Sequence, residues 1–435
     1  MTKQKIKKLS GTISLVGDKS ISHRALILSS MSSGKSEISN LLESEDIMNT
    51  MNILKDLGIK IVKKERKWVV YGNGTNGFMQ PKKALDCGNS GTTARLLLGA
   101  VSTNPIYCTF IGDKSLSNRP MRRITDYLER IGSKVSLTNK ENLPLTIKGS
   151  NISLPLTHKM TKPSAQIKTA IILAALNISG ETTIIEPWQT RDHTELLLKY
   201  LRVKYKNKKI ISGGNKLTFN GPYEIKSKNI YIPGDPSSAA FIIVGALITP
   251  NSKIKLSNIL LNKTRIAYLS ILKKMGGKIK IKKTKIRSGE QLGTITVSSS
   301  SLKGITIPSG LSPYLIDEYP ILSVAASRAK GITYMNGLDE LRYKESDRIK
   351  SIVGMLKSFG IKTKTKKNDI KIYGSSSAEI SCNSIVKVYS DHRIALSASI
   401  LGIVSNNSVK LDDGGRSMAT SYPNFKNDLK KIIKN

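Results

Sequence analysis

Six times along its 435 residues the chain repeats one pattern: a small polar cluster, often opened by Gly or Asp, followed at once by an Ala-rich apolar helix. The six are GDKSISHRALILSSM from Gly17, GNSGTTARLLLGAV from Gly88, PSAQIKTAIILAAL from Pro163, GDPSSAAFIIVGAL from Gly234, IDEYPILSVAAS from Ile316 and SDHRIALSASILG from Ser390. Their starts lie about 70 to 80 residues apart. A turn and a short strand follow each (SGKSEIS, NPIYCTF, SGETTIIE, NSKIKLS, KGITYMN, NNSVKLD), and five of the six units then offer a second helix, four of them ending at Gly. In NTMNILKDLGIKI, RITDYLERIGSKV, YLSILKKMGGKI and RIKSIVGMLKSFGIKT the apolar residues fall at helical spacing, and Gly stands where a left-handed cap is wanted. Alternating strands such as KIKIKK, TIKG and IKIYG close the units. Self-similarity at a fixed period marks repeated supersecondary modules. Six modules divide naturally into two sets of three, and a chain of this length exceeds one ordinary core. The expectation is an α/β protein of two domains with a cleft between them.

Each polar cluster occupies the first turn of a buried helix, where free N–H groups and the helix dipole favour anions. Ser, Asp and Asn in such places also serve as ordinary N-caps. Six of them in one chain point beyond capping, because helices gathered side by side would present a concave array of N–H donors.

The charge bears on what those donors meet. With 70 basic and 31 acidic residues the net charge is +39, which invites a nucleic-acid reading. The lysines, however, are spread along the whole chain in short runs with few aromatics between them (5% overall). No basic arm, zinc finger, RNP motif or helix-turn-helix is recognisable. A lysine-rich surface is the plainer reading, and its field would still attract acidic small molecules. No apolar run reaches the ~18–20 residues of a membrane span, and MTKQKIKKLSGTISLVG carries no apolar signal core. Cys87, Cys108 and Cys382 lie far apart with no CxxC pair, which suits reduced thiols in a cytosol. The four histidines are scattered too, so no metal site assembles from local spacing.

Within the clusters stand charges poorly suited to an apolar helix start. Lys19 and Arg24 lie in GDKSISHRA, Arg119 stands beside Pro120 in LSNRPMRR, RYKESDRI holds Lys344, Glu345 and Arg348, and SDHRIA holds Arg393. Any one of these taken alone reads as a solvated surface charge. Their shared position at helix starts or turns, next to small residues that let a ligand approach the backbone, argues for a binding role.

Taken in order, GDKSISHRA, NSGTTARLL, RPM, SAQIK, RDHTE, GDPSSAAF, IDEYP, LRYKESDRI and SDHRIALS closely resemble the motifs of 3-phosphoshikimate 1-carboxyvinyltransferases, from Gly11 to the C-terminal YPNF. GDKS, SAQIK, RDHTE and Asn262–Lys263–Thr264–Arg265 also look like the subgroup associated with glyphosate tolerance, although Gly91 stands where some tolerant members carry Ala. The resemblance implies the enolpyruvyl transferase fold: two α/β domains, each of three βαβαββ repeats around a pseudo-threefold axis, with the active site in the interdomain cleft. It implies an N-terminal lobe over 17–233, and a C-terminal lobe over 234–435 completed by the strand in 1–16. The implied reaction moves the enolpyruvyl group of phosphoenolpyruvate to the 5-hydroxyl of shikimate 3-phosphate and releases phosphate, in the chorismate route to aromatic amino acids. No cofactor or metal, no nucleic acid and no membrane partner is implied; a cytoplasmic monomer is expected.

Residue by residue, the resemblance assigns Lys19, Ser20, Arg24, Ser164, Ala165, Gln166, Arg191, Asp317 and Lys344 to shikimate 3-phosphate. It assigns Lys19, Gly91, Arg119, Gln166, Arg348 and Arg393 to phosphoenolpyruvate. Asp317 would be the base for the hydroxyl and Glu345 would handle the methylene proton, with Lys19 beside them. Independently of the family, two substrates of about three negative charges each need several charge-assisted hydrogen bonds, worth roughly 1.5–3 kcal/mol apiece. Asp317 and Glu345 also have plainer roles, as a first-turn acid and an ion-pair partner. His23 and His392 read as structural. Many relatives carry Lys where Thr420 stands, so either one cation is missing or Arg416 or a nearby lysine replaces it. The sister enzyme that acts on UDP-N-acetylglucosamine is the nearest rival, but it normally has Cys where this chain has Lys114, and a Lys–Asn pair in place of GDKS. A basic nucleic-acid-binding protein is the rival from another class.

Overall fold

Lys19–Ser30, Gly91–Val101, Ala165–Ala175, Pro236–Ile248, Tyr319–Ser327 and His392–Gly402 are the six helices that open on the polar clusters. They belong to a computed structural model that describes residues 8–138, 141–377 and 379–434. Five starts are capped by their own cluster. Asp18, Ser90, Ser164, Asp235 and Asp391 accept first-turn N–H groups of Ile21, Thr93, Ile167, Ser237 and Arg393. The Tyr319 helix instead carries Pro320 in its first turn, where a missing N–H costs nothing. The capping reading of these clusters is therefore real, and any anion binding must use the remaining donors.

The chain forms two compact units. One comprises Gly17–Ile232 together with Arg287–Glu290; the other comprises the chain up to Val16, Pro233–Ile286 and Gln291 onward. In the first unit three four-stranded sheets share one plan: a short entering strand parallel to the central strand, then two antiparallel strands. Their central strands are Ser33–Ser39, Tyr107–Ile111 and Gly180–Glu186. The entering strand of the first sheet, Ile230–Tyr231, comes from beyond the third module, so the ring of three closes on itself. In the second unit the entering strand of the first sheet is Lys8–Ser14, which runs parallel to Lys253–Leu260. The chain's last described residues, Ile433–Lys434, pair with its other edge. The βαβαββ reading holds for the modules with complete sheets.

The sixth module differs from expectation. Among the described residues it keeps a single parallel bridge, Val386 to Leu411, in place of a full sheet. It also has the second helix the sequence did not announce, Phe425–Ile432. The reason is local: only Phe425, Asp428 and Ile432 are buried in it, and the surrounding lysines hide so sparse an apolar stripe.

The cluster helices are buried nearly all round, polar side chains such as Ser22, His23 and Arg24 of the first included. Where Gly91–Val101 crosses Ala165–Ala175, a Cβ on Gly99 would stand 2.2 Å from the carbonyl oxygen of Ala170. Only a glycine lets the two backbones meet there. Strands carry exposed charge as well: Lys278, Lys280, Lys282, Lys283 and Lys285 are exposed along one strand, and Lys206, Lys208 and Lys209 along another. Cys87, Cys108 and Cys382 are free and buried. Among the described residues no helix is long and apolar enough to cross a membrane, and no group of His, Cys, Asp and Glu is placed to hold a metal ion.

Candidate functional site

In the first unit the Lys19–Ser30 helix presents Lys19 and Ser20 half-buried at its start and Arg24 buried one turn on. The Lys19 ammonium lies 2.8 Å from Asp46. The Arg24 guanidinium is seated on three oxygens at 2.8 Å: it donates through Nε to Thr194 Oγ1, through Nη1 to the Ser20 carbonyl and through Nη2 to Thr169 Oγ1. Thr169 and Thr194 bond each other at 2.7 Å, so one guanidinium is locked to two further helices. His23 lies between Lys19 and Arg24 and is buried. Its Nδ1 meets Thr50 Oγ1, which continues to Thr93 and Ser90. Burial, and then the neighbouring Lys19 and Arg24 charges, hold its pKa well below the ordinary histidine value. The imidazole is neutral and joins the starts of the Lys19 and Gly91 helices, a structural role.

A second cluster forms at the start of the Gly91–Val101 helix. A Cβ on Gly91 would stand 2.9 Å from Arg95 Nη1 and 3.3 Å from Arg119 Nη1. Two guanidiniums therefore converge where this glycine leaves room. Arg119 donates through Nη2 to Asn89 Oδ1 and Ser115 Oγ at 2.9 and 3.1 Å. Its Nε is buried and has no acceptor. Gln166 bridges the cluster to the Ala165–Ala175 helix, its Oε1 accepting from Arg95 and its Nε2 donating to Thr92, both at 2.8 Å. Ser164 caps that helix, Ala165 is its first residue, and both are half-buried. Arg191 is half-buried just before the His193–Tyr200 helix. The sequence reading missed Arg95. Its signal was present, a cation inside NSGTTARLL, but at the fifth helical position it looked like an ordinary helix residue.

The second unit gathers a further set. Arg348 is fully buried at the start of Arg348–Ser358 and meets three carboxylates. Its Nε lies 2.9 Å from Asp391, its Nη2 2.5 Å from Glu345 and its Nη1 3.4 Å from Asp317. Burial alone would lower its pKa; Asp391, Glu345 and Asp317 outweigh that and raise it, so the guanidinium stays charged. Arg393 donates to the Asp317 carbonyl at 2.7 Å, with its Nε 3.7 Å from the Asp317 carboxylate. Asp317, Glu345, Arg348 and Arg393 thus form one cluster, and Lys344 stands half-buried in the same loop as Glu345. Just before the Asp391 cap, Tyr389 and Ser390 both hold left-handed backbone (φ 53° and 56°), a strain that non-glycine residues adopt where the surroundings fix it. Thr420 donates to the Ser417 carbonyl at 2.9 Å and meets His392 at 3.2 Å, while Arg416 is exposed and donates to the Asp413 carbonyl.

Three of the four subgroup motifs, SAQIK, RDHTE and Asn262–Lys263–Thr264–Arg265, fall into buried networks. Lys168 of SAQIK reaches Glu195 of RDHTE at 2.6 Å, and His193 meets Glu290 at 2.6 Å. In the second unit Arg265 donates to Ser237 at 3.0 Å and lies 3.3 Å from Asp235. Ser237 in turn donates to Glu318 at 2.5 Å.

The chain is similar over nearly its whole length to known proteins. A curated 3-phosphoshikimate 1-carboxyvinyltransferase from Bartonella henselae is 43% identical over 425 residues, covering 98% of this chain and 96% of the relative. One from Rhodopseudomonas palustris is 42% identical over 419 residues, covering 96% and 94%. Among solved structures, EPSP synthase from Acinetobacter baumannii matches with a TM-score of 0.85 at 34% identity, covering 99% of this chain and 97% of that one. The enolpyruvyl transferase NikO from Streptomyces tendae shares the fold, with a TM-score of 0.75 at 14% identity over 98% and 96% of the two chains. Since the family model also spans residues 3–429, almost the whole length over which the repeats and cation clusters occur, the chain belongs to the EPSP synthase (3-phosphoshikimate 1-carboxyvinyltransferase) family.

Proposed function

We propose that this enzyme transfers the enolpyruvyl group of phosphoenolpyruvate to the 5-hydroxyl of shikimate 3-phosphate and releases phosphate, a step of aromatic amino-acid biosynthesis. Full-length membership of the family carries the reading. The buried Arg119 Nε without an acceptor, beside Gly91 and Arg95, supports it physically: such a donor suits an anion. Neither nucleic-acid binding nor transfer to UDP-N-acetylglucosamine is favoured by relatives of this kind.

On this reading Lys19, Ser20, Arg24, Ser164, Ala165, Gln166 and Arg191 hold shikimate 3-phosphate, with its phosphate at the N-terminus of the Ala165 helix. Gly91 and Arg119 take the phosphate of phosphoenolpyruvate, Arg348 and Arg393 its carboxylate end, and Lys19, Lys344 and Gln166 add polar contacts to the ligands. Asp317 removes the proton of the 5-hydroxyl as its oxygen bonds to C2 of phosphoenolpyruvate, while C3 gains a proton from the carboxyl of Glu345. Glu345 then takes a proton back from C3 as the C2–O bond to phosphate breaks, leaving the enol ether. The intermediate is tetrahedral and not bound covalently to the protein, so no activated Ser or Cys is needed. The Arg348 guanidinium lies against both carboxylates, and that of Arg393 against the Asp317 carboxylate, which keeps the two oriented. One chain supplies every group named here, so a monomer suffices, and three buried free thiols suit a reducing cytosol.

A phosphate-release assay with each substrate omitted in turn tests the reaction. Release should require both compounds; release from phosphoenolpyruvate alone, or none with both present, would refute it.

A further inference from the structure

Lys168 is fully buried on the second turn of the Ala165–Ala175 helix, and no step above uses it. Its ammonium lies 2.6 Å from Glu195 and 3.0 Å from Glu186. Glu186 is pinned in turn, accepting from the backbone N–H and hydroxyl of Thr190 and, at 3.0 Å, from Asn215. Glu195 has a second oxygen, Oε2, that is buried without a donor. Burying three ionisable groups is a poor way to gain stability, because desolvation offsets most of the attraction, and apolar residues of similar volume often serve better. What such a group supplies is a single permitted arrangement of the elements it joins.

The elements joined are informative. Lys168 and Thr169 are neighbours on one helix, Thr194 and Glu195 on another. The pair Lys168–Glu195 and the pair Thr169–Thr194 therefore lock the same two helices side by side. Arg24 is seated on both threonines. The same two helix starts carry Ser164, Ala165 and Gln166 on one side, and Arg191 on the other.

We propose that Lys168, through its ion pairs with Glu195 and Glu186, is a positioning residue for the shikimate 3-phosphate half of the site. It fixes the register of the Ala165–Ala175 and His193–Tyr200 helices and thereby seats Arg24. The inference rests on the function proposed above. The Arg119 guanidinium of the phosphoenolpyruvate group belongs to the same unit but is held by other contacts, Asn89 and Ser115.

The test is steady-state kinetics of the full chain with each substrate varied against saturating amounts of the other, for the natural enzyme, Lys168→Met and Glu195→Gln. Lys168→Met should raise KM for shikimate 3-phosphate about ten-fold or more, leave KM for phosphoenolpyruvate within about two-fold and keep most of kcat. Glu195→Gln retains the shape and an acceptor, so it should shift the same KM in the same direction by a smaller factor. Equal rises in both KM values would mean general loosening of the unit and overturn the proposal, as would unchanged KM values in folded protein. If Lys168→Met does not fold, Glu195→Gln decides alone: a selective rise supports positioning, and no selective rise refutes it. A natural enzyme that fails to release phosphate would instead sink the functional reading, and this inference with it.

Discussion

Arg119 shows how much a single residue can say before the fold is known and how much it cannot. Its place beside Pro120 in a short loop marked it as a binding cation. Its buried, acceptor-free Nε and its approach to Gly91 and Arg95 emerge only when the loop is folded back on the helix start. Removing one preorganised donor to developing charge typically costs ~10²–10³ in rate, so Arg119→Ala should lose that much kcat/KM in the phosphate-release assay. Near-normal turnover would mean that the phosphate site lies elsewhere. Asp317→Asn keeps the shape and removes the proposed base; kcat should fall about 10²–10⁴-fold with the melting temperature little changed. His23 makes a prediction in pH. Its folded pKa lies below the ordinary value of about 6.5, so the unfolded chain binds the extra proton first. Stability is complete above that value and declines as pH falls below it, by up to ~1.4 kcal/mol per unit from this group. Denaturant titrations at pH 7.5 and 5.5 should show a smaller drop in His23→Gln than in the natural chain; an equal drop would assign the loss to other groups.

At the scale of elements, the helix ends separate what is local from what is not. Gly58, Gly132, Gly276 and Gly360, read in the sequence as left-handed caps, all have positive φ. The cap is set by a few adjacent residues, which is why it could be read. The His193–Tyr200 helix turns at Arg202 instead, with φ 65°. Left-handed backbone costs a non-glycine residue roughly 1–2 kcal/mol, and glycine loses part of that gain to chain entropy. Arg202→Gly should therefore raise stability by about 0.5–1 kcal/mol in a denaturant titration. Gly99 is the opposite case: nothing local demands a glycine inside that helix, and only the carbonyl of Ala170 across the crossing excludes a side chain. The second helix of the sixth module escaped notice for a similar reason, since its few apolar positions are meaningful only once they are seen to be buried.

For the molecule as a whole, the charge of +39 comes from basic residues spread along the whole chain, exposed strand lysines such as Lys278, Lys280 and Lys282 among them. A diffuse positive field acting on anionic substrates should speed their capture and be screened by salt. Raising salt from about 10 mM to about 150 mM shortens the screening length from roughly 30 to 8 Å. It should lower kcat/KM for both substrates several-fold while leaving kcat within about two-fold; a flat response would show that the field does no steering. The sequence by itself determined the six modules, their capped helix starts and most of the cations, because periodicity, caps and motif spacing depend on residues within a turn or two of one another. Only the tertiary structure decided which of the 70 basic side chains converge. Arg95 and Lys168 look ordinary along the chain and become distinctive through Gly91, Arg119, Glu186 and Glu195, which the fold alone brings to them. Burial of a long charged side chain is a property of its distant partners, and those are set by how the helices cross.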